Sequence, residues 1–163
     1  FRLLGHDVKW AGYHRTADIP LTRVLLDAQD LLAQLPPHWF PDLVVLGDES
    51  TQPLVLGLET LPVPLVWYAI DSHIHVNWHI YYAAAFDVIL VGDLFYERDL
   101  AARVLAWLRE AAGRGTAILI GDPGRSYLPK ESLAEIAHYR VPVTRELEDA
   151  EIKRTGVWAL RNY

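Results

Sequence analysis

Runs of apolar, largely β-branched residues recur along the chain, separated by stretches in which apolar positions return every three or four residues. The first kind suits strands buried on both faces and the second suits helices lying against them, so their alternation predicts βα units around a mainly parallel sheet. The predicted strands are Asp7 to Ala11, Asp42 to Gly47, Pro64 to Ile70, Asp87 to Gly92, Thr116 to Gly121, Arg140 to Arg145 and Gly156 to Arg161. TRVLLDAQDLLAQL predicts a helix from Thr22, as N-cap, to Leu35, stopped by Pro36 and Pro37. ERDLAARVLAWLREAAGRG predicts another from Glu97, with Leu100, Val104, Leu105 and Leu108 on one stripe and an end at Gly113 or Gly115. A further helix is expected near Lys130 to His138. Beyond it, YRVPVTRELEDAEIKRTGVWALR holds two strand-like runs joined by a charged connector, ELEDAEIKR, which predicts an antiparallel closing hairpin across a solvated loop or single helical turn.

The expected fold is therefore α/β: one three-layer, doubly wound, Rossmann-like domain over residues 1–163, with a mostly parallel sheet of about seven strands and a C-terminal antiparallel hairpin. Any ligand crevice is expected beyond the carboxyl ends of the parallel strands.

Composition narrows the function. With 163 residues the chain can bury roughly 70% of its unfolded surface in one core. Hydrophobic residues make up 52% and charged residues 22%, and no run approaches the roughly 18 apolar residues of a membrane span. The net charge of -6 and pI near 5.6, without a clustered Lys/Arg face, argue against nucleic acid as a partner. There is no cysteine, so neither a disulfide frame nor a thiolate metal site can form, which fits a reducing, cytoplasmic setting. Methionine is also absent, even at position 1, and FRLLGHDVKW reads as the end of a helix and the next strand, so the usual start of such a domain is expected to be missing, with no signal peptide ahead of it.

The densest polar cluster is DSHIHVNWH, Asp71 to His79. His75 and His79 stand four apart and would share a helical face, with Asp71 or His73 approaching from the preceding turn, which are enough donors for zinc. The alternative is that Asp71 and Ser72 cap a helix whose flanks the histidines and Trp78 fill, and with no thiolate the expectation is no metal site. Ser50, Ser72 and Ser126 lack a nucleophile elbow. Asp48, Glu49, Asp93 and Asp122 all stand near strand ends, with their mutual separations open.

Two resemblances are carried by longer motifs. GDLFYERDLA (Gly92 to Ala101), ILIGDPGR (Ile118 to Arg125) and TGVWAL (Thr155 to Leu160), with the terminal hairpin, resemble the C-terminal half of seven-stranded S-adenosylmethionine-dependent methyltransferases, and most closely the protein-lysine methyltransferases that modify the electron-transfer flavoprotein β subunit. The likeness covers about Phe86 to Leu160. It implies a D-x-x-Y element after the fourth strand, matched by Asp93 and Tyr96, with Asp93 holding an amine substrate and Tyr96 packing against it. The alternative is that Asp93 caps the following helix and Tyr96 covers an apolar edge. LGHDVKWAG, PDLVVLGDES and VWYAIDSHIHVNWHIYYAAAFDVILV instead resemble the N-terminal domain of two-domain glycosyltransferases of the spore-maturation-protein type, over about Phe1 to Val91. In those enzymes a second domain, absent from this chain, holds most of the sugar nucleotide.

FDVILVGD would serve either parent, which places a fragment seam at about residues 86–96. A methyltransferase of this class binds its donor at a Gly-rich first βα turn, with an acidic residue after the second strand on the ribose hydroxyls, by analogy with dinucleotide sites. Here that turn is AGYHRTADIPLT, with Gly12 alone, while Asp48 and Glu49 follow the second strand. The leading expectation is a recombined or engineered Rossmann-like chimera without an intact active site or cofactor. The alternative is a divergent methyltransferase that uses S-adenosylmethionine, with Asp93 and Tyr96 on the substrate side and Gly12, Asp48 and Glu49 on the donor side. A glycosyltransferase-like half, the third reading, predicts a homodimer with a crevice between subunits. The methyltransferase pattern implies strand order 3-2-1-4-5-7-6.

Overall fold

A computed structural model of the chain describes residues 1–47, 54–69, 82–92, 94–142 and 152–161. In chain order the regular elements begin with β1 (Ala11–Gly12), β2 (Ile19–Pro20), β3 (Leu25–Asp27), α1 (Ala28–Leu32), β4 (Val44–Gly47) and β5 (Leu54–Leu56). They continue with β6 (Leu65–Ala69), β7 (Val88–Gly92), α2 (Arg98–Gly113), β8 (Ala117–Asp122), β9 (Leu133–Pro142) and β10 (Ile152–Leu160). Two compact units result: Phe1–Asp42 with Thr51–Val63, and Leu43–Ser50 with Pro64–Tyr163.

The first unit is built from short pieces, with β1 parallel to β2 and β3 parallel to β5. Ile19, Leu21, Ala28, Val55 and Leu58 are buried, whereas Leu3, Leu4, Val24 and Leu25 are exposed. The helix expected over Thr22 to Leu35 does not form over that span. Leu25 to Asp27 pair with Leu54 to Leu56 as strands, and only Ala28–Leu32 is helical. Asp27 rather than Thr22 is the cap, its Oδ1 accepting the Gln29 N–H at 2.8 Å. Strand pairing to a distant segment overrides a helical period that was local only.

The second unit holds a six-stranded sheet in the order β4-β6-β7-β8-β10-β9. β4, β6, β7 and β8 are parallel, and β10 runs antiparallel to both β8 and β9. The architecture is thus mixed α/β with a mostly parallel central sheet, closed by the expected antiparallel hairpin. In the numbering of the predicted strands the order is 2-3-4-5-7-6. The half 4-5-7-6 agrees with the methyltransferase pattern and the other half does not, because the predicted first strand, Asp7 to Ala11, is outside this sheet among the described residues. Strands from β4 to β8 are laid down to one side in chain order, so the described sheet lacks the reversal that defines double winding.

Register is pinned where the strands begin. The Asp87 N–H donates to Leu65 O at 3.0 Å while its Oδ2 accepts the Leu65 N–H at 2.8 Å, and Thr116 Oγ1 donates to Phe86 O at 3.1 Å. On one face of the sheet Trp67, Ala69, Ile89, Val91 and Ile120 are fully or almost fully buried. Helix α2 is buried along Leu100, Val104, Trp107, Leu108 and Ala111; of the predicted stripe Leu100, Val104 and Leu108 are buried, whereas Leu105 is only half-buried and Trp107 takes its place in the core. Trp107 meets Trp67 edge-to-face at a centroid distance of 5.6 Å, and Phe86 packs on Trp67 at 5.5 Å. The helix ends as expected: Gly115 takes φ 102°, and the Gly115 and Thr116 N–H groups return to Ala112 O and Ala111 O.

The helix expected near Lys130 to His138 is not formed. A single 3₁₀ turn at Lys130–Ser132 leads into β9, a ten-residue strand. All nine residues of β10 hold β9 in register, and that pairing outweighs the weak helical preference of Leu-Ala-Glu. Most of the connector ELEDAEIKR lies outside the described residues, and its last residues belong to β10.

Candidate functional site

The face of the sheet turned away from Trp67 and Ile89 carries a groove of about 480 Å³ over the carboxyl ends of β7 and β8. The carboxyl ends of parallel strands are where open α/β sheets hold ligands, although the described sheet has no reversal of strand order at this point. Its floor is made by the absence of side chains. Gly92 and Gly121 are direct partners across the β7–β8 pair, and Gly121 is in turn opposite Val157 of β10. A Cβ built on Gly92 would stand 3.5 Å from Tyr68 Oη, and one on Gly121 would stand 3.8 Å from Val91 O. Both are ordinary contacts, so the two glycines leave a flat tile of backbone beside the Tyr68 ring.

The walls come from neighbouring elements. Tyr68 projects from β6 with 43% of its surface exposed, Val141 and Lys153 come from the closing hairpin, and Pro123 and Arg125 come from the turn after β8. That turn is organised by Asp122, which is buried. Its Oδ1 accepts the N–H groups of Gly124 and Arg125, both at 2.7 Å, and Gly124 takes φ 93°. A buried carboxylate receiving two backbone donors fixes the path of the turn and hence the root of Arg125.

Among the described lining residues the charges are two cations, Arg125 and Lys153, with no carboxylate, imidazole or thiol. The Tyr68 and Thr155 hydroxyls add hydrogen-bonding capacity. Such a lining suits binding of a planar group on the floor; among the described residues it contains no general base.

Tyr96 lies in the loop between β7 and α2, 46% exposed, and is not part of the groove lining. Its neighbours Leu94 and Phe95 are buried and anchor the loop, and Phe95 O accepts the Tyr127 N–H at 3.3 Å. The N-cap of α2 is Glu97, with no side-chain cap bond. Asp93 lies outside the described residues, as do Asp48, Glu49, Asp71, His73, His75 and His79. Gly12 sits in β1 of the first unit, where a Cβ would meet Trp10 Nε1 at 2.8 Å. Its open side is therefore occupied by an indole. Among the described residues no group of three or more His, Asp or Glu could hold a metal, and no helix is long and apolar enough to cross a membrane.

The sequence does not single out Gly92, Tyr68, Lys153 or Thr155, and Gly121 stands out in it only as part of the turn motif ILIGDPGR. A signal was present: VILVGD and AILIGD end two apolar runs alike, and the matched Gly-Asp pairs mark strand ends that come to lie side by side.

No family model matches the chain. It is 36% identical over 77 residues to the electron transfer flavoprotein beta subunit lysine methyltransferase of Danio rerio, a match covering 44% of this chain and 30% of that protein. The same enzyme of Rattus norvegicus is 36% identical over 78 residues, covering 45% and 31%. The chain thus matches less than a third of the length of these relatives. The matched length is comparable to the stretch from Phe86 to Leu160 that carries the methyltransferase resemblance, and no glycosyltransferase is among these relatives. Among solved structures, a Streptococcus pneumoniae protein assigned as a tRNA (m1A22) methyltransferase, in complex with S-adenosyl-L-methionine, superposes with a TM-score of 0.31 and 10% identity over 86% of this chain and 67% of that one. A superposition that loose does not bear on the fold.

Proposed function

We propose that this chain acts in S-adenosylmethionine-dependent methyl transfer, as the acceptor side of a protein-lysine methyltransferase, with the groove over Gly92 and Gly121 receiving part of the acceptor protein. The reading is carried by the half-sheet β7-β8-β10-β9, two parallel strands closed by an inserted antiparallel hairpin, which agrees with the methyltransferase strand order on that side. The partial relatives, lysine methyltransferases, support the same chemistry. Asp93 is the residue assigned to the acceptor amine and Tyr96 the one assigned to pack against it.

S-adenosylmethionine is the cofactor that this reading implies, and the described residues do not fit it. The donor cradle of such enzymes needs open backbone at a Gly-rich turn, whereas Gly12 is covered by the Trp10 indole.

A second reading is favoured by one observation, the one-sided order β4-β6-β7-β8, which has no switch point among the described residues. On that reading the chain is a chimera that keeps a methyltransferase half-sheet without an intact donor site. Calorimetry with S-adenosylmethionine separates the two. Dissociation constants in the micromolar range, about -8 kcal/mol, support the methyltransferase; no heat up to about millimolar donor supports the chimera.

A further inference from the structure

Strand β9 closes one edge of the sheet and, among the described residues, pairs on one side only, with β10. Its other side presents a second row of backbone donors and acceptors along ten residues, Leu133 to Pro142. Leu133 at its start is fully buried, but most side chains along the rest of it are open to solvent: Ile136 is 57% exposed and Tyr139 60%.

The strand also carries a bulge. Val157 is opposite Ala137 while the next residue, Trp158, is opposite Glu135, so Ile136 is the extra residue. The bulge changes which residues share a face. Without it Glu135 and Arg140 would point to opposite sides; with it Glu135, His138 and Arg140 fall on one side and Ala134, Ala137, Tyr139 and Val141 on the other. The contacts agree, since Glu135 lies 3.9 Å from His138 Nδ1 and 3.6 Å from Arg154, the β10 partner of Arg140.

Counting Glu135 and Ile136 as one step of the ladder, the strand is self-complementary about His138. We infer that β9 is a dimerisation edge that takes a second copy of this chain, antiparallel, about a two-fold axis normal to the sheet at His138. In that register Glu135 of each copy is opposite Arg140 of the other, twice by symmetry. Small Ala137 is opposite large Tyr139, and Leu133 is opposite Pro142, so all ten residues overlap. A closed two-fold pairing of this kind consumes the exposed edge and joins two six-stranded sheets into one. The opposed charges select a second copy, since only an identical strand supplies both ion pairs.

Sedimentation of the whole chain between about 1 and 100 μM, the range of ordinary weak dimers, should show a concentration-dependent dimer. Glu135→Lys and Arg140→Glu should each weaken it roughly tenfold or more, and the double variant should restore it, because the ion pairs re-form with their signs exchanged. The chain has no cysteine, so His138→Cys would place one thiol per copy at the axis. Mild oxidation should cross-link that variant and leave Ala134→Cys uncross-linked. A monomer throughout the range overturns the inference. So does a dimer indifferent to both charge reversals, or equal cross-linking of the two cysteine variants. Circular dichroism of each variant shows that the fold is kept.

Discussion

The Trp158 indole lies flat against Gly156, two residues back along β10: a Cβ on Gly156 would sit 2.5 Å from Trp158 Nε1. The two residues stand on the side of the sheet that carries Ile120 and Asp122. Gly156→Ala therefore forces the half-buried indole to move, and it should cost about 1–3 kcal/mol in denaturant unfolding. Gly121→Ala, one strand away and with its Cβ 3.8 Å from the nearest atom, should be close to neutral by the same measurement.

Asp87 binds Leu65 through both backbone and carboxylate, and so sets the stagger between β6 and β7. Asp87→Ala leaves the partly buried Leu65 N–H without its acceptor. A loss of about 1–3 kcal/mol is expected in equilibrium unfolding, with Asp87→Asn recovering part of it through the amide oxygen.

In the first unit, hydrogen bonds from Lys9 and Trp39 hold the Asp7 carboxyl below the ordinary value of 3.8, and the Trp10 N–H with Arg2 does the same for Asp18. Folded values below unfolded ones mean stability that is complete above 3.8 and lost as pH falls through the folded values. The Asp7 carboxylate accepts from Trp39 Nε1 at 2.6 Å. Trp39 fluorescence should therefore change on acidification below 3.8, and Asp7→Asn should flatten that change.

The groove floor is testable by filling it. Gly121→Leu points a side chain into the space over β7 and β8 and should leave the unfolding midpoint almost unchanged. On the methyltransferase reading it lowers acceptor turnover by about tenfold or more through displaced substrate. Unchanged turnover would remove the groove from the proposed site.

Continuous apolar runs were readable as strands. Val44 to Gly47, Leu65 to Ala69, Val88 to Gly92 and Ala117 to Asp122 each lie within the predicted span or one residue beyond it, since burial on a parallel sheet leaves so direct an imprint. Helix α2 was readable for the same reason, its stripe being the face that meets the core. β9 was not: with most of its side chains exposed, its pattern records no buried face, and Leu-Ala-Glu-Ile-Ala suggests a helix until β10 is alongside. Leu25 to Asp27 were hidden likewise, because their partner is Leu54 to Leu56, too distant for any local period to register. Strand order depends on the connections between strands rather than on the strands, so the one-sided order of β4 to β8 could not be read from periodicity. The groove escaped because its two defining residues are glycines, which in isolation signify turns; only their pairing across adjacent strands makes a floor.

The insertion of β10 between β8 and β9 makes assembly of this sheet obligatorily non-sequential. When β9 emerges from synthesis it has no neighbour to dock on, and it must wait as an uncommitted segment until β10 arrives and bridges it to β8. Any event that delays or removes residues 152–160 therefore strands two edges at once, which makes that short segment the point at which proteolysis or premature termination would do the most harm to the whole unit.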